Sequence, residues 1–549
     1  MIGKFWAFVP AIIAIALALI SKQVYLSLFI GIFFGGMFLA QGNPIHAFGK
    51  IFELLSNRLG KNGGILIFLV MLGILVVMLV KSGASTAYGK WANKKIKSRE
   101  GALFVTAGLG GMIFVDDYFN CLTVGSVMRP VTDKFKVSRA KLAYIIDSTA
   151  APICIIAPIS SWAAAVTGEL SGDGIVAFIK TIPFNLYAIL TLIMVFFMIG
   201  TKLDFGRMHR NEINALRGDV YSGNYDLPCE ESMGVGSSKK GKVVDLILPV
   251  VALILLCVGT MIYSGYFNGF EPKMENAKGV RFAEAFSRAD SGTSLAVGST
   301  IAVLFTAIYY QIRKVITFKE AMNSITEGFK SMVPAILILI LAWTISSIIG
   351  DEGLKANEYV KRSVGANSVV FSVMPAMFFL IASGISFATG TSWGTFGILI
   401  PIATAVLGNS SMDPKVVITI SAILAGSVFG DHISPISDTT ILSSSGAQCN
   451  HIDHVKTQMP YAGVVAAITL LSYIILGAVT GELSSKVANP KHLYGYASAI
   501  SLTVGPILLI GILSIILLVK KHKKELPTQV VQFNKNIGEE YEEKNYNEA

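Results

Sequence analysis

The sequence predicts an all-α polytopic membrane protein built as two inverted repeats, each with a re-entrant hairpin and a broken helix. Three observations carry that prediction. The 549 residues are 53% hydrophobic and only 15% charged, with a mean hydropathy of +0.62, whereas a soluble chain of this size needs roughly 25% charged residues to cover its surface. Long apolar runs alternate with short polar blocks. The order of those runs in the first 200 residues recurs in residues 243–481.

Taken along the chain, runs long enough to cross about 30 Å of hydrocarbon lie near residues 5–20, 24–40, 65–82, 180–200, 243–264, 292–311, 332–350, 460–481 and 496–519. Three other apolar regions, 101–131, 139–167 and 366–446, are interrupted by Gly, Pro, Ser, Thr and Asp. No uniform lipid-facing helix carries such residues, so function is expected there. Stretches 45–59 and 316–330 are amphipathic, and each precedes a long span.

Basic residues set the expected orientation, because cytoplasmic loops retain positive charge. Lys81 to Arg99 holds six, Arg129 to Lys141 five and Lys202 to Lys242 seven, and the tail opens with Lys520, Lys521, Lys523 and Lys524. With the first two blocks on one face, 101–131 must enter and leave on that face, as a hairpin with its tip near Val115 to Tyr118. The same bookkeeping places the N-terminus outside, the C-terminus in the cytoplasm and a second hairpin at 366–407, turning near Ser383 to Thr391. Lys50, Arg58 and Lys61 then fall on the outer face, where an interfacial helix can hold them among headgroups. The expected organisation is a first repeat at 1–200, a cytoplasmic linker at 201–242, a second repeat at 243–482, a last span at 483–520 and a tail at 521–549.

Several classes of function drop out. The net charge of +10 sits beside apolar segments rather than in a stripe interleaved with aromatics, so the expected partners are membrane lipid and small ions, without nucleic acid. The five cysteines are far apart and lack C-x-x-C spacing. No P-loop occurs, which leaves an ion gradient as the expected energy source, with no cofactor and no enzyme expected.

Acidic residues in the interrupted regions carry the chemistry. An Asp in the middle of a membrane helix costs about 2.5 to 3.5 kcal/mol on insertion scales, so Asp116, Asp117 and Asp147 each need a cation, a proton or a cavity. Asp116 and Asp117 fall at the first hairpin tip, where they either cap a helix or bind an ion. Asp147, followed by Ser148, Thr149 and Pro152, is harder to read as a cap. In the second half Asp431, His432, Ser434, Ser437, Asp438 and Thr439 fall within nine residues around Pro435, which must break the helix and free its carbonyls. Carboxylates, hydroxyls and unwound carbonyls are the ligands of a hard cation such as Na⁺, expected at Asp147, Asp431 and Asp438. The second hairpin tip adds Ser386, Thr389, Gly390, Thr391, Ser392 and Thr395. His432 is read either as a proton carrier or pH sensor, or as a histidine bonded to a neighbouring carboxylate. His451 and His454 are expected in a solvated polar connection with Asp453 and Lys456, lacking a third zinc ligand.

The run from Gly430 to Gly446, GDHISPISDTTILSSSG, resembles the signature of the NhaC-type sodium/proton antiporters, within the broader ion-transporter superfamily. Thr389 to Thr395 and Asp147 to Pro152 are similar to other stretches of that family, and the resemblance covers residues 1–525. It implies an elevator-type transporter with a moving domain of hairpins and broken helices, and a homodimer. It also implies a substrate range from Na⁺ and H⁺ to malate, lactate and amino acids. Two functions follow. In the first, Asp147, Asp431 and Asp438 alternately hold Na⁺ or a proton, and competition for the carboxylates couples the two ions. In the second, a Na⁺- or H⁺-coupled carrier binds an amino acid or small carboxylate through the hairpin hydroxyls, including those of Ser443 to Ser445.

Overall fold

The computed structural model describes residues 2–21, 23–170, 174–223, 238, 240–267, 270, 285, 289–350, 352–356, 358–359, 368–407, 413–486 and 490–525. Residues 366–367 of the expected second hairpin and 526–549 of the expected tail lie outside the described residues. By contacts the chain divides into two compact units, Met1–Gly505 and Pro506–Ala549. Among the described residues every regular element is helical. The first half holds α1 (Val9–Ser21), α2 (Val24–Leu39), α3 (Pro44–Lys81), α4 (Ala84–Lys95), α5 (Arg99–Met112), α6 (Asp117–Lys134), α7 (Arg139–Thr149), α8 (Ala151–Cys154), α9 (Ser161–Glu169), α10 (Gly174–Thr181) and α11 (Leu186–Thr201). After α12 (Gly206–Leu216) come α13 (Val244–Phe267), α14 (Ser291–Ile312), α15 (Phe318–Ile349), α16 (Ser368–Thr389), α17 (Ser392–Leu407), α18 (Pro414–Ile433), α19 (Asp438–Ala447), α20 (His451–Lys486) and α21 (Pro490–Glu525).

Eight helices among the described residues are long and apolar enough to cross a membrane, or nine when the two arms of α15, bent by 43° beside Pro334, count as one span. This is a multi-pass membrane protein. The spans expected at 5–20 and 24–40 form apolar helices of 13 and 16 residues, shorter than the roughly 20 residues that a straight crossing takes. The amphipathic stretch 45–59 runs without a break into the following span as α3, although Gly60, Gly63 and Gly64 intervene. One reason is packing. A Cβ on Gly64 would stand 2.5 Å from the carbonyl carbon of Gly292, and one on Gly73 would stand 2.3 Å from the carbonyl oxygen of Gly328. Bare backbone at these places lets α3 cross α14 and α15 closely, as small residues do between membrane helices.

Both regions form helix pairs, and each turn overlaps the expected stretch. The first turns at residues 113–116, because the Asp116 carboxylate caps α6 by accepting from Phe119 N at 3.0 Å, so Asp117 and Tyr118 already belong to the helix. The second turns only at residues 390–391. Ser383 and Thr389 sit inside α16 and return their hydroxyls to carbonyls four residues earlier, at 2.7 and 2.8 Å, which lets the helix continue to the far end of the expected stretch. Gly390 then reverses the chain with φ +69°, and a Cβ there would stand 2.4 Å from the carbonyl oxygen of Ile436.

Each interrupted helix restarts on a side-chain cap. Ser160 accepts from Ala163 N at 3.1 Å to start α9, and Ser437 accepts from Thr440 N at 3.1 Å to start α19. The first residue of each restarted helix then bonds to a hairpin turn: Ser161 N donates to Val115 O at 3.0 Å, and Asp438 N donates to Gly390 O at 3.3 Å. Each restarted helix also packs on the other half's hairpin, α19 on α6 and α9 on α17.

The α6 and α19 contact is backbone on backbone. A Cβ on Gly125 would stand 2.4 Å from the carbonyl carbon of Gly446, and one on Gly446 would stand 2.6 Å from Cys121 O. Gly125→Val is therefore expected to lower the melting temperature of the purified protein, with an overpacking cost of about 1 to 3 kcal/mol. Gly108→Ala, whose Cβ meets nothing within 4 Å, is expected to leave it unchanged or raise it.

Candidate ion-binding site

Two hairpin tips and two helix breaks bring five acidic side chains to one buried region. Asp147 stands third from the end of α7 and Asp431 third from the end of α18, so each lies just before a break. Asp438 opens α19, and Asp116 and Asp117 open α6. Asp117, Asp147 and Asp431 have no exposed surface, and Asp116 is 2% exposed.

These carboxylates are not equivalent. Asp147 is saturated: Oδ1 accepts from Ser443 Oγ at 3.1 Å, and Oδ2 accepts from Thr440 Oγ1 at 3.1 Å and from Gln458 Nε2 at 2.6 Å. His454 Nε2 lies 3.5 Å from the same oxygen, an ion pair when the ring is protonated. Asp438 accepts from Tyr118 OH at 2.7 Å and from Thr439 N at 2.8 Å. Asp431 Oδ2 accepts from Ser392 Oγ at 3.0 Å and Thr439 Oγ1 at 3.1 Å, while its Oδ1 has no hydrogen-bond partner among the described residues. Asp117 faces the indole of Trp162 but closes no hydrogen bond of normal geometry on either oxygen. Three buried carboxylate oxygens are thus left bare. Burying such an oxygen is costly unless something positive or hydrogen-bearing reaches it.

The adjoining acids Asp116 and Asp117, which the sequence leaves open between cap and site, divide the two roles. Asp116 caps α6, and Asp117 does not. Ser437 both caps α19 and lies 3.2 Å from Thr439 Oγ1. Other expected site residues hold the scaffold instead. Thr149 Oγ1 donates to Ile145 O, Thr389 Oγ1 to Ile385 O and Ser434 Oγ to Phe387 O, at 2.7 to 2.8 Å. Thr391 contributes its carbonyl, to Thr395 Oγ1 at 2.9 Å, and Ser148 is fully buried beside Asp147 in the chain.

Two histidine expectations are corrected. Among the described residues His432 has no hydrogen bond to a carboxylate: its Nδ1 meets Tyr187 OH at 3.1 Å, because the ring points across α18 to α11 rather than back along its own helix. His454 is not in a solvated connection. α20 begins at His451, and its first turns carry His454, with no exposed surface, against Asp147. The polar composition of 451–456 looked like a loop, but its charged members Asp453 and Lys456 project away from the face that His454 shares with Gln458. Those two are four residues apart and therefore neighbours on one helix face.

Tyr118, Asn120, Tyr187, Thr440, His454 and Gln458 are the contributors that sequence reasoning missed as site members. Asn120 alone donates to Gly110 O, Ile113 O and Thr149 O, tying the first hairpin to the end of α7. Gln458 joins the two breaks, since its Nε2 also donates to His432 O at 2.7 Å. Gln458→Leu, similar in size, is expected to destabilise the protein by about 1 to 3 kcal/mol, the cost of stranding buried acceptors, read as a lowered melting temperature.

Comparison with known proteins finds transporters among the relatives of this chain. Residues 163–478 match the Na⁺/H⁺ antiporter family. An uncharacterized protein of Haemophilus influenzae is 40% identical over 505 residues, covering 89% of this chain and 94% of that protein. The malate-2H⁺/Na⁺-lactate antiporter of Bacillus subtilis is 30% identical over 184 residues, 32% of this chain and 37% of its own length. The Na⁺/H⁺ antiporter NhaC of Bacillus subtilis is 26% identical over 218 residues, 38% and 45% of the two chains. The chain belongs to the Na⁺/H⁺ antiporter family and is a transporter, not an enzyme.

Proposed function

We propose that this protein exchanges Na⁺ for H⁺ across the cytoplasmic membrane, with the cation held among Asp117, Asp431 and Asp438 and the hydroxyls of Ser392 and Thr439. The carrying observation is the trio of bare, buried oxygens, both of Asp117 and Oδ1 of Asp431, beside the half-buried Asp438. Such a centre is neutralised either by a cation or by protons. A protonated carboxyl loses its charge and most of its attraction for Na⁺, so the two ions exclude one another and their fluxes are coupled. Asp147 belongs to the same centre, joined to it by Thr440, whose hydroxyl lies 3.1 Å from Asp147 and 3.4 Å from Asp431 O.

The matched construction of the two halves supports inverted repeats. In both, an Asp ends the proximal helix, a serine caps the distal one and the distal helix's first amide bonds a hairpin turn. We extend the reading to an elevator motion of the hairpins and broken helices past α2, α3, α14 and α15. The basic segments support an outer N-terminus and a cytoplasmic C-terminus, and we extend the proposal to a homodimer. The alternative, a coupled carrier of an amino acid or small carboxylate, rests on the hairpin hydroxyls and on the partial similarity to the malate/lactate antiporter. Those hydroxyls are largely committed: Thr389, Thr395 and Ser444 donate to backbone carbonyls, and Ser443 lies 3.1 Å from Asp147 Oδ1. The geometry therefore favours the inorganic cation.

In proteoliposomes loaded with a pH-sensitive dye, Na⁺ alone is expected to drive saturable proton movement. Asp431→Asn is expected to reduce it by more than about tenfold, the equivalent of about 1.4 kcal/mol of lost cation stabilisation. If Na⁺ alone does nothing and one amino or hydroxy acid restores movement, the alternative holds.

A further inference from the structure

Glu169 is a buried carboxylate that the ion centre does not use. It ends α9, is 6% exposed, and among the described residues neither oxygen has a hydrogen-bond partner. Packing does not require such a group, since an uncharged side chain would fill the same space without the desolvation cost. The cation facing it is Arg58 of α3. Arg58 is held from the other side: its Nε donates to Ser347 Oγ and lies 3.7 Å from Glu352. Lys61, its own side chain 60% exposed, pairs with Glu352 at 2.7 Å and holds that carboxyl below the usual range. Arg58 therefore stands between an acid at the aqueous surface and an acid inside the protein.

Other buried polar atoms around α9 also lack partners. Thr167 Oγ1 and the indole nitrogens of Trp343 and Trp393 are buried without partners among the described residues. The Trp343 nitrogen lies where a Cβ on Gly168 would come within 2.9 Å, and the rings of Trp162 and Trp393 are 5.7 Å apart. At the start of α9, Ser161 and Trp162 turn their hydroxyl and indole toward Asp116 and Asp117 without closing normal hydrogen bonds. Ser161 and Glu169 are separated by about 12 Å along the helix, at about 1.5 Å per residue. A helix with the bare carboxylates of Asp117 at one end and Glu169 at the other, and the unpaired Thr167 hydroxyl between them, offers oxygen partners to a solvated cation.

We propose that Glu169 is a second station for a small monovalent cation, on a hydrated path along α9 between the Arg58, Lys61 and Glu352 mouth and the Asp117 centre. Arg58 is the guard of this path: the cation reaches Glu169 when Arg58 leans toward Glu352. The nature of the cargo rests on the cation-exchange reading, whereas the path does not. The test uses the full chain with its native cysteines replaced. Thr167→Cys and Glu169→Cys are expected to react with a small cationic thiosulfonate at least about tenfold faster than Ala296→Cys, a site of similar burial on α14. Equal rates at the three positions would overturn the path. In proteoliposomes, Glu169→Gln is expected to raise the half-saturating Na⁺ concentration about tenfold, and Glu169→Asp to recover most of it. An unaltered Na⁺ dependence in Glu169→Gln overturns the station. If the unsubstituted protein moves no Na⁺, the exchange reading fails instead, and the cysteine rates alone decide the path.

Discussion

A carboxylate inside hydrocarbon must be given hydrogen bonds, a cation or a proton, and the arrangement of this protein is organised around supplying them. The helices that carry Asp147 and Asp431 stop just after those residues, and the chain restarts on Ser160 and Ser437. Stopping a helix creates its own debt of unpaired amides and carbonyls. Hairpin turns at Val115 and Gly390 accept the first amides of the restarted helices. The breaks are thus stable because the hairpins are there, and the hairpin tips are fixed because the breaks hold them.

Within that frame the acids differ in what the protein gives them. Asp147 receives three hydrogen bonds and a nearby imidazole, which stabilise its charge without a bound ion. Asp117 and Asp431 keep bare oxygens. On the proposed reading, the bare oxygens carry the exchanging ions, and Asp147 supplies a fixed negative charge that raises the affinity of the centre for any cation. Tyr118 and Thr440 are shared between elements of different halves, so on the proposed reading a change of occupancy is felt by both. Glu169 extends the same logic outward, placing another bare acid between the centre and an ionic cluster near the surface.

Much of this was legible from one sequence. Apolar run length located most of the long helices, and basic blocks pointed to the turn between the helices Arg99–Met112 and Asp117–Lys134. Pro435 amid Asp431 and Asp438 marked the break at which the site forms. What failed to show was side-chain direction at helix ends. Asp116 and Asp117 are chemically identical, and only the geometry of the turn makes one a cap and leaves the other free. Thr389 and Ser434 looked like ligands by type, yet a hydroxyl in an apolar helix has a carbonyl within reach one turn back or across a contact, and theirs take it. His454 and Gln458 were hidden by polar neighbours that made a helix start look like a loop. Glu169 was unremarked because its significance depends on Arg58, more than a hundred residues earlier in the chain.

Equilibrium binding of radioactive sodium to the purified, detergent-solubilised protein probes the bare-oxygen centre without transport as an intermediary. Saturable binding that protons displace, lost in Asp117→Asn and in Asp431→Asn while Thr149→Val retains it, is the expected result. Sodium binding that survives both aspartate substitutions, or that is indifferent to pH, would contradict a centre in which Na⁺ and H⁺ compete for those oxygens.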